Sequence, residues 1–215
     1  MITFILTACN RPDLLEQTLD SFLHPDFTSP VSRWIVHIDG MDAVVCKLMA
    51  SKYSFFEVIG TPERVGLAAS FDRLMAKVKT EYVFTCEDDW QFSHFDGLVQ
   101  ESIVLLAHCP HINHVWCRDA TDHQHPLSSI RILMGIPICR VLKNYGSEKW
   151  GGFSLNPGLR RTADYHHFFP NGMAAIGDEA ACSAHVEAIG YQAVALVNSA
   201  CKHIGWHRHT ENFKH

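Results

Sequence analysis

Residues 81–92 read EYVFTCEDDWQF, and the two halves of that stretch ask for opposite surroundings. EYVFTC (81–86) is short, apolar and rich in β-branched and aromatic side chains, the composition of a strand buried on both faces. Directly behind it, Glu87, Asp88 and Asp89 repel one another, and they are tolerated together only on a solvated turn or around a cation. Ligands of open α/β sheets bind outside the carboxyl ends of the strands, so the triplet stands where a site is expected. If the strand continued through it, Glu87 and Asp89 would share one face and Asp88 would turn away.

The flanking sequence alternates in the same way. ITFILTA (2–8) reads as a buried parallel strand, and NRPDLLEQTLDSFL as a helix opened by Asn10 and Pro12, with Leu15, Leu19, Phe22 and Leu23 on one face. RWIVHIDG (33–40) and FFEVIG (55–60) read as strands, VCKLMASK between them as a helix, and GLAASFDRLMAKVK (66–79) as a helix feeding EYVFTC. This βα alternation predicts an α/β, Rossmann-like fold with a mixed, mostly parallel central sheet flanked by helices. Beyond it, SHFDGLVQESIVLLAHC (93–109) and GDEAACSAHVEAIGYQ (177–192) read as helices, and INHVWCRDA (112–120) and AVALVNS as strand segments. Residues 121–172, rich in Pro, Gly, His and aromatics, are expected to form loops.

The 215 residues fit one domain with a substantial core, expected as a nucleotide-binding half (1–92) and a second half (93–215). With 47% apolar residues, 19% charged residues and a net charge of -5, the composition lacks the basic footprint of a nucleic-acid-coating protein. The N-terminus shows no basic leader and no segment has the length of a membrane span, which predicts a soluble, cytoplasmic protein. Eight cysteines without a CxxC pair read as reduced core residues, and fifteen histidines include no HExxH and no structural-zinc spacing.

The order of these pieces resembles the GT-A fold of nucleotide-sugar glycosyltransferases, in particular the family 2 type. TACNRP after the first strand, the Asp-ending second strand, a G-x-x-x-S-x-D helix leading into EYVFTCEDDW, GGFSLNP, the acidic helix GDEAACSAHVEAIGY and a late His before Ile-Gly follow the family's order over nearly the whole chain. The resemblance implies a metal-dependent transferase that moves a sugar from a nucleotide diphosphate donor, UDP being the commonest, to an acceptor hydroxyl by a single inverting displacement.

It also implies roles. Asp89 and His203 would hold Mn²⁺ or Mg²⁺, hard cations suited to carboxylates and diphosphates, with His207 as the second choice of histidine. Thr7, Ala8, Cys9 and Arg11 would line the nucleotide, with Glu87 and Asp88 near the ribose and metal waters. Asp39 either contacts the ligand or makes a turn with Gly40; Arg64 either reaches the nucleotide or lies on the surface. Glu179 takes the position of the catalytic base and Asp178 the acidic position before it; either could be the base, and both also suit a helix N-terminus. Lys202 or Arg208 could face the diphosphate. In KWGGFSLNPGLRR (149–161), Trp150 and Phe153 suit sugar stacking and the paired glycines suit close approach of a ligand, although aromatic packing explains them equally well.

Three alternatives stay open. A nucleotidyltransferase would need a Gly-rich phosphate loop, and TACNRPD has no glycine. An inactive nucleotide-sugar-binding module would keep the same pocket. A transferase acting on modified DNA bases could use Arg131, Arg140, Lys143, Lys149, Arg160 and Arg161 against phosphates. The acceptor itself, whether glycan, lipid-linked sugar, protein or modified nucleic acid, has no sequence signature.

Overall fold

The computed structural model describes residues 1–24, 28–93, 96–119, 122, 127–141, 151–198 and 200–208. Its first half is the expected alternation: β1 (Ile2–Ala8), α1 (Pro12–Phe22), β2 (Val31–Asp39), α2 (Ala43–Lys52), β3 (Glu57–Thr61), α3 (Leu67–Met75) and β4 (Tyr82–Glu87). There follow β5 (Trp90–Phe92), α4 (Leu98–His108), β6 (Ile112–Trp116), β7 (Arg131–Leu133), β8 (Ile136–Arg140) and β9 (Gly158–Arg161). The chain continues through α5 (Thr162–Phe168), a 3₁₀ turn (Met173–Ala175), α6 (Glu179–Ala188), β10 (Gln192–Leu196) and β11 (Cys201–His203).

Among the described residues, nine strands form one sheet in the order β3-β2-β1-β4-β9-β6-β10-β8-β7, and β11 pairs with β5 in a small second sheet. β3, β2, β1 and β4 run parallel, as do β6 and β10. β9 enters antiparallel between β4 and β6. The sheet is therefore mixed, with its parallel part where the βα pattern was clearest.

One side of the sheet packs on α1, α2 and α4 through Phe4, Leu15, Leu19, Phe22, Val36, Val45, Met49, Phe84 and Leu105. The other packs on α3, α5 and α6 through Ile5, Ile35, Phe71, Leu74, Val83, Phe153, Tyr165 and Val186. These residues alternate along β1, β2 and β4, as burial on both faces requires. Asp72 on α3 fastens the two halves: it accepts hydrogen bonds from the Tyr165 hydroxyl and from the Met173 (2.8 Å) and Ala174 (3.1 Å) amides.

Three expectations are corrected. Residues 121–172 are not all loop, since they carry β7, β8, β9 and α5, and β9 lies in the middle of the main sheet. Arg160 and Arg161 on that strand do not face outward: Arg160 is buried, and Arg161 donates to the carbonyls of Leu106, Pro110 (2.9 Å) and Ile112 (2.6 Å). A phosphate-facing role for this pair is thereby removed, while Lys143 and Lys149 lie outside the described residues. Finally, the paired glycines 151 and 152 approach protein rather than a ligand. A Cβ on Gly152 would fall 2.7 Å from the Glu187 amide nitrogen, on the backbone of α6. Among the described residues, no helix is long and apolar enough to cross a membrane.

Candidate active site

The parallel register brings the strand ends to one edge. Thr7 pairs with Glu87 across β1 and β4, and Ala8 pairs with Ile38 across β1 and β2, so the turn after β1, Asp39 and the acidic triplet are neighbours. β4 stops at Glu87, and the two-residue period stops with it. Asp88 and Asp89 consequently do not diverge: both meet the Arg11 guanidinium, Asp88 through Nη2 and Asp89 through Nη1 at 2.7 Å. Asp88 also accepts from the Cys9 amide at 3.0 Å, which ties the turn after β1 to the triplet.

β11, laid antiparallel on β5, puts His203 opposite Trp90 and its Nε2 3.2 Å from Asp89 Oδ2. Gly205 passes directly over Asp89, where a Cβ would collide with the carboxylate. The His-Ile-Gly sequence is thus the element that closes over Asp89. Burial works to raise the Asp89 pKa, but the His203 hydrogen bond and the charge of Arg11 outweigh it and hold the group below its ordinary value. Asp88, more deeply enclosed, is raised by burial to about 6 despite Arg11. Burial, reinforced by Asp89, Glu179 and Asp88, pushes Glu87 well above the usual carboxylate range.

Asp39 does not use its side chain on the Gly40 turn. Its two oxygens accept from the amides of Val65 (2.7 Å) and Gly66 (3.1 Å), which holds the loop before α3 against the end of β2. Arg64, in that loop, packs its stem over Gly40 and contributes positive charge near Cys9.

The two acidic residues at the start of α6 separate by role. Asp178 is exposed, and its Oδ1 accepts from the Ala181 amide at 2.8 Å, so it is the helix N-cap. Glu179 is part-buried, but its carboxyl is enclosed and accepts from the Leu155 amide at 2.6 Å. Burial raises it to about 7, against the lowering effects of the Leu155 amide and Arg160. Its charge acts on Glu87, which places it across the same edge from the triplet.

Sequence reasoning missed Arg118. It follows β6 at the carboxyl edge, between the rings of Trp90 (5.1 Å) and Trp206 (5.3 Å), and donates to Asp122 Oδ2 (3.1 Å) and Asn156 Oδ1 (3.0 Å). Its position just past a strand end was the available signal. Trp150 lies outside the described residues. Phe153 is buried in the core and stacks on no open face. Lys202 and His207 are exposed, and Arg208 pairs with Asp13 while its carbonyl accepts from Arg11 at 3.1 Å.

Comparison with known proteins agrees with this fold. The family model described as Glycosyl transferase family 2 matches residues 3–100, the segment that contains the turn after β1, Asp39 and the triplet. No curated protein matches the chain. Among solved structures, the mannosyltransferase PcManGT from Pyrobaculum calidifontis, in complex with GDP-Man and Mn²⁺, superposes with a TM-score of 0.64 at 17% identity, over 96% of this chain and 57% of that one. GalNAc-T7 with UDP, GalNAc and Mn²⁺ gives 0.64 at 9% identity, over 98% of this chain and 45% of that one. TarS 1–349 of S. aureus gives 0.60 at 10% identity, over 94% of this chain and 60% of that one. The chain thus spans 57%, 45% and 60% of the lengths of these structures. Residues 3–100 carry the glycosyl transferase family 2 match, and the described residues take the GT-A fold of glycosyltransferases.

Proposed function

We propose that the protein is a nucleotide-sugar-dependent glycosyltransferase that inverts configuration by a single displacement, with Glu179 as its base. One observation carries the reading: at the carboxyl edge of a GT-A sheet, a carboxyl near neutrality stands across from one carboxylate, Asp89, that its neighbours keep charged. Glu179 is raised to about 7, and Asp89 is held below its ordinary value. A general base works best with a pKa near the working pH, and a cation site works best with a carboxylate that stays ionised.

A divalent cation fits part of this donor set. Asp89 Oδ1 is buried without a hydrogen-bond partner, and His203 Nε2 stands 3.2 Å from the other oxygen of the same carboxylate; a carboxylate oxygen with an imidazole nitrogen suits Mn²⁺. Among the described residues, no three His, Cys, Asp or Glu side chains converge as a complete metal site, so diphosphate oxygens would supply the rest. Bound there, the metal would act as a Lewis acid on the departing diphosphate. Arg11, already on Asp88 and Asp89, adds a fixed positive charge at the same edge.

In the reaction, Glu179 accepts the proton of the acceptor hydroxyl while that oxygen forms a bond to the anomeric carbon. The bond from that carbon to the donor diphosphate breaks on the opposite face, and its electron pair leaves on the diphosphate oxygen. The turn after β1, with Asp39 and the Arg64 loop, forms the nucleotide side; residues 93–215 supply the acceptor side. The neighbours' GDP and UDP ligands support a nucleoside diphosphate donor, with UDP-sugars tested first.

The test is calorimetric titration with UDP-, GDP- and dTDP-sugars, with and without Mn²⁺, on the wild type and Asp89→Ala. Mn²⁺-dependent binding of one donor that is lost in Asp89→Ala is the expected result. Absence of binding by every donor under both conditions would overturn the reading.

A further inference from the structure

Arg160 is an unusual residue for the centre of a sheet. It lies on β9, opposite Val83 on one side and His114 on the other, and is 3% exposed. Its guanidinium packs over the rings of Phe153 (4.7 Å) and Phe71 (5.7 Å), surroundings in which an aliphatic side chain would be at home. Among the described residues it has no carboxylate partner at salt-bridge distance. Nη2 lies near Thr85 Oγ1 (3.3 Å) and His114 Nδ1 (3.1 Å), and Nε has no partner. His114 gives it no counter-charge: Nδ1 of that ring already takes the Trp116 indole N–H at 2.9 Å, and burial together with Arg160 holds the imidazole neutral. Burial works against a charge in such surroundings. Packing alone does not account for it.

The shortest contact of Arg160 shows where its charge is directed. Nη2 donates to the Ser154 carbonyl oxygen at 2.6 Å. The nitrogen of that same peptide group is Leu155 N, which donates to Glu179 Oε1 at 2.6 Å. One peptide plane therefore joins a buried guanidinium to the carboxyl at the head of α6. A cation on the carbonyl oxygen withdraws electron density from the amide and makes its N–H a stronger donor, as hydrogen bonds in series polarise one another. The segment is pinned from both sides: the Gly152 and Phe153 amides donate to Ser183 Oγ on α6 (3.0 and 3.3 Å), and Asn156 donates to Ser154 Oγ. With its neighbours fixed, the Ser154–Leu155 peptide keeps its orientation.

We infer that Arg160 is a positioning residue: through the Ser154–Leu155 peptide it aims and strengthens the one backbone N–H that holds the Glu179 carboxylate. The inference rests on the reading of Glu179 as base. It assigns to the buried arginine the task of keeping that base ionisable in an enclosed site. Among the described residues, the other charged or titratable groups facing Glu179 are Glu87 at the end of β4, Arg118 after β6, and Asp178 and Cys182 on its own helix. Arg118 is already committed to Asp122, and the carboxylates oppose ionisation, which leaves Arg160 as the cation coupled to Glu179 through a bonded path.

Two measurements test this. The first is the pH profile of kcat/KM in Arg160→Gln, which keeps a donor for Ser154 but removes the charge. The acid limb is expected to move up by roughly one pH unit. An unchanged limb in a folded Gln variant overturns the proposal. The second needs no substitution. In wild-type protein labelled with ¹³C at Glu Cδ and with ¹⁵N, the Glu179 carboxyl carbon, the Leu155 amide and the Arg160 guanidinium resonances are expected to titrate with one midpoint. Leu155 or Arg160 signals that stay fixed while Glu179 titrates overturn it, even where the Gln variant fails to fold. If no donor supports turnover, the base assignment falls, and this titration still decides whether the relay exists.

Discussion

Two acidic regions face each other across the edge of the sheet, and the chain treats their charges in opposite ways. Asp88 and Asp89 sit at the end of β4 with a guanidinium across both and an imidazole on one of them. Glu179, at the first turn of α6, receives one backbone N–H and has no salt-bridge partner among the described residues. Both regions are enclosed, so burial pushes every one of these carboxyls toward the neutral form. At Asp89 the His203 hydrogen bond and the charge of Arg11 reverse that push; at Glu179 a single amide and a more distant arginine reverse only part of it. Asp89 in the first region can hold positive charge at any physiological pH, whereas Glu179 in the second can exchange a proton near neutrality. A displacement that neutralises a leaving diphosphate while removing a hydroxyl proton needs one of each.

The sharpest way to break this contrast is to remove the exchangeable proton site. Glu179→Gln keeps the shape and an acceptor for Leu155 but cannot take a proton. It is expected to lower kcat by about 10³-fold, with donor affinity by calorimetry within a few-fold of wild type. A loss of donor binding comparable to the loss of turnover would instead make Glu179 a binding residue. Next in size is the other region. Arg11→Met leaves Asp88 and Asp89 without their guanidinium, which is expected to destabilise the fold by about 3 kcal/mol in urea titrations at pH 8. The loss should be smaller at pH 5. Asp88, already raised to about 6 with Arg11 present, rises further without it and is protonated there.

The sequence disclosed the first region far better than the second. Strands β1, β2 and β4 are short apolar runs, so their ends, and hence Asp39 and the triplet, could be located to within a residue or two. What could not be read was the geometry beyond the last ladder residue: the alternation that separates Glu87 from Asp88 holds only while the strand does, and it ends at Glu87. β9 escaped notice because GLRR is half arginine, and a central strand is expected to be apolar. Its charges are met by the Ser154 carbonyl, in the loop just before the strand, and by the carbonyls of Leu106, Pro110 and Ile112, partners of Arg161 distant in sequence. The role of Arg160 was illegible for the same reason, because it depends on a peptide plane shared with a helix that begins nearly twenty residues later. Asp178 and Glu179 were visible as an acidic pair at a helix start, but only the direction of each side chain tells the cap from the candidate base.

Linkage gives a smaller test of the same contrast. A carboxyl whose folded pKa lies above its unfolded value binds more protons in the folded state, so it stabilises the fold below the unfolded value and loses that contribution as pH rises through the folded one. For Glu179 the window runs from 4.5 to about 7. Wild type should therefore lose stability relative to Glu179→Gln between pH 5 and pH 8, by roughly 2 kcal/mol. Taking the difference between the two proteins removes the opposing contribution of His37, which burial holds below its ordinary value in both. A difference that stays flat with pH would place the Glu179 carboxyl in an environment no different from water.

The smallest expected effect separates neighbours in sequence. Asp178 and Glu179 are adjacent acidic residues at one helix start, yet the first points along the helix to the Ala181 amide and the second across to Leu155. Asp178→Ala removes an N-cap whose carboxylate is exposed, which should lower stability by about 0.5 kcal/mol, the low end for such caps. Because Asp178 also raises Glu179 through like charge, its removal should move the acid limb of the pH profile slightly down and leave the plateau kcat within a few-fold of wild type. A loss of turnover on the scale expected of Glu179→Gln would reverse the two roles. The base would then be the residue at the cap, and the enclosed carboxyl on Leu155 would be a structural tie between α6 and the segment before β9.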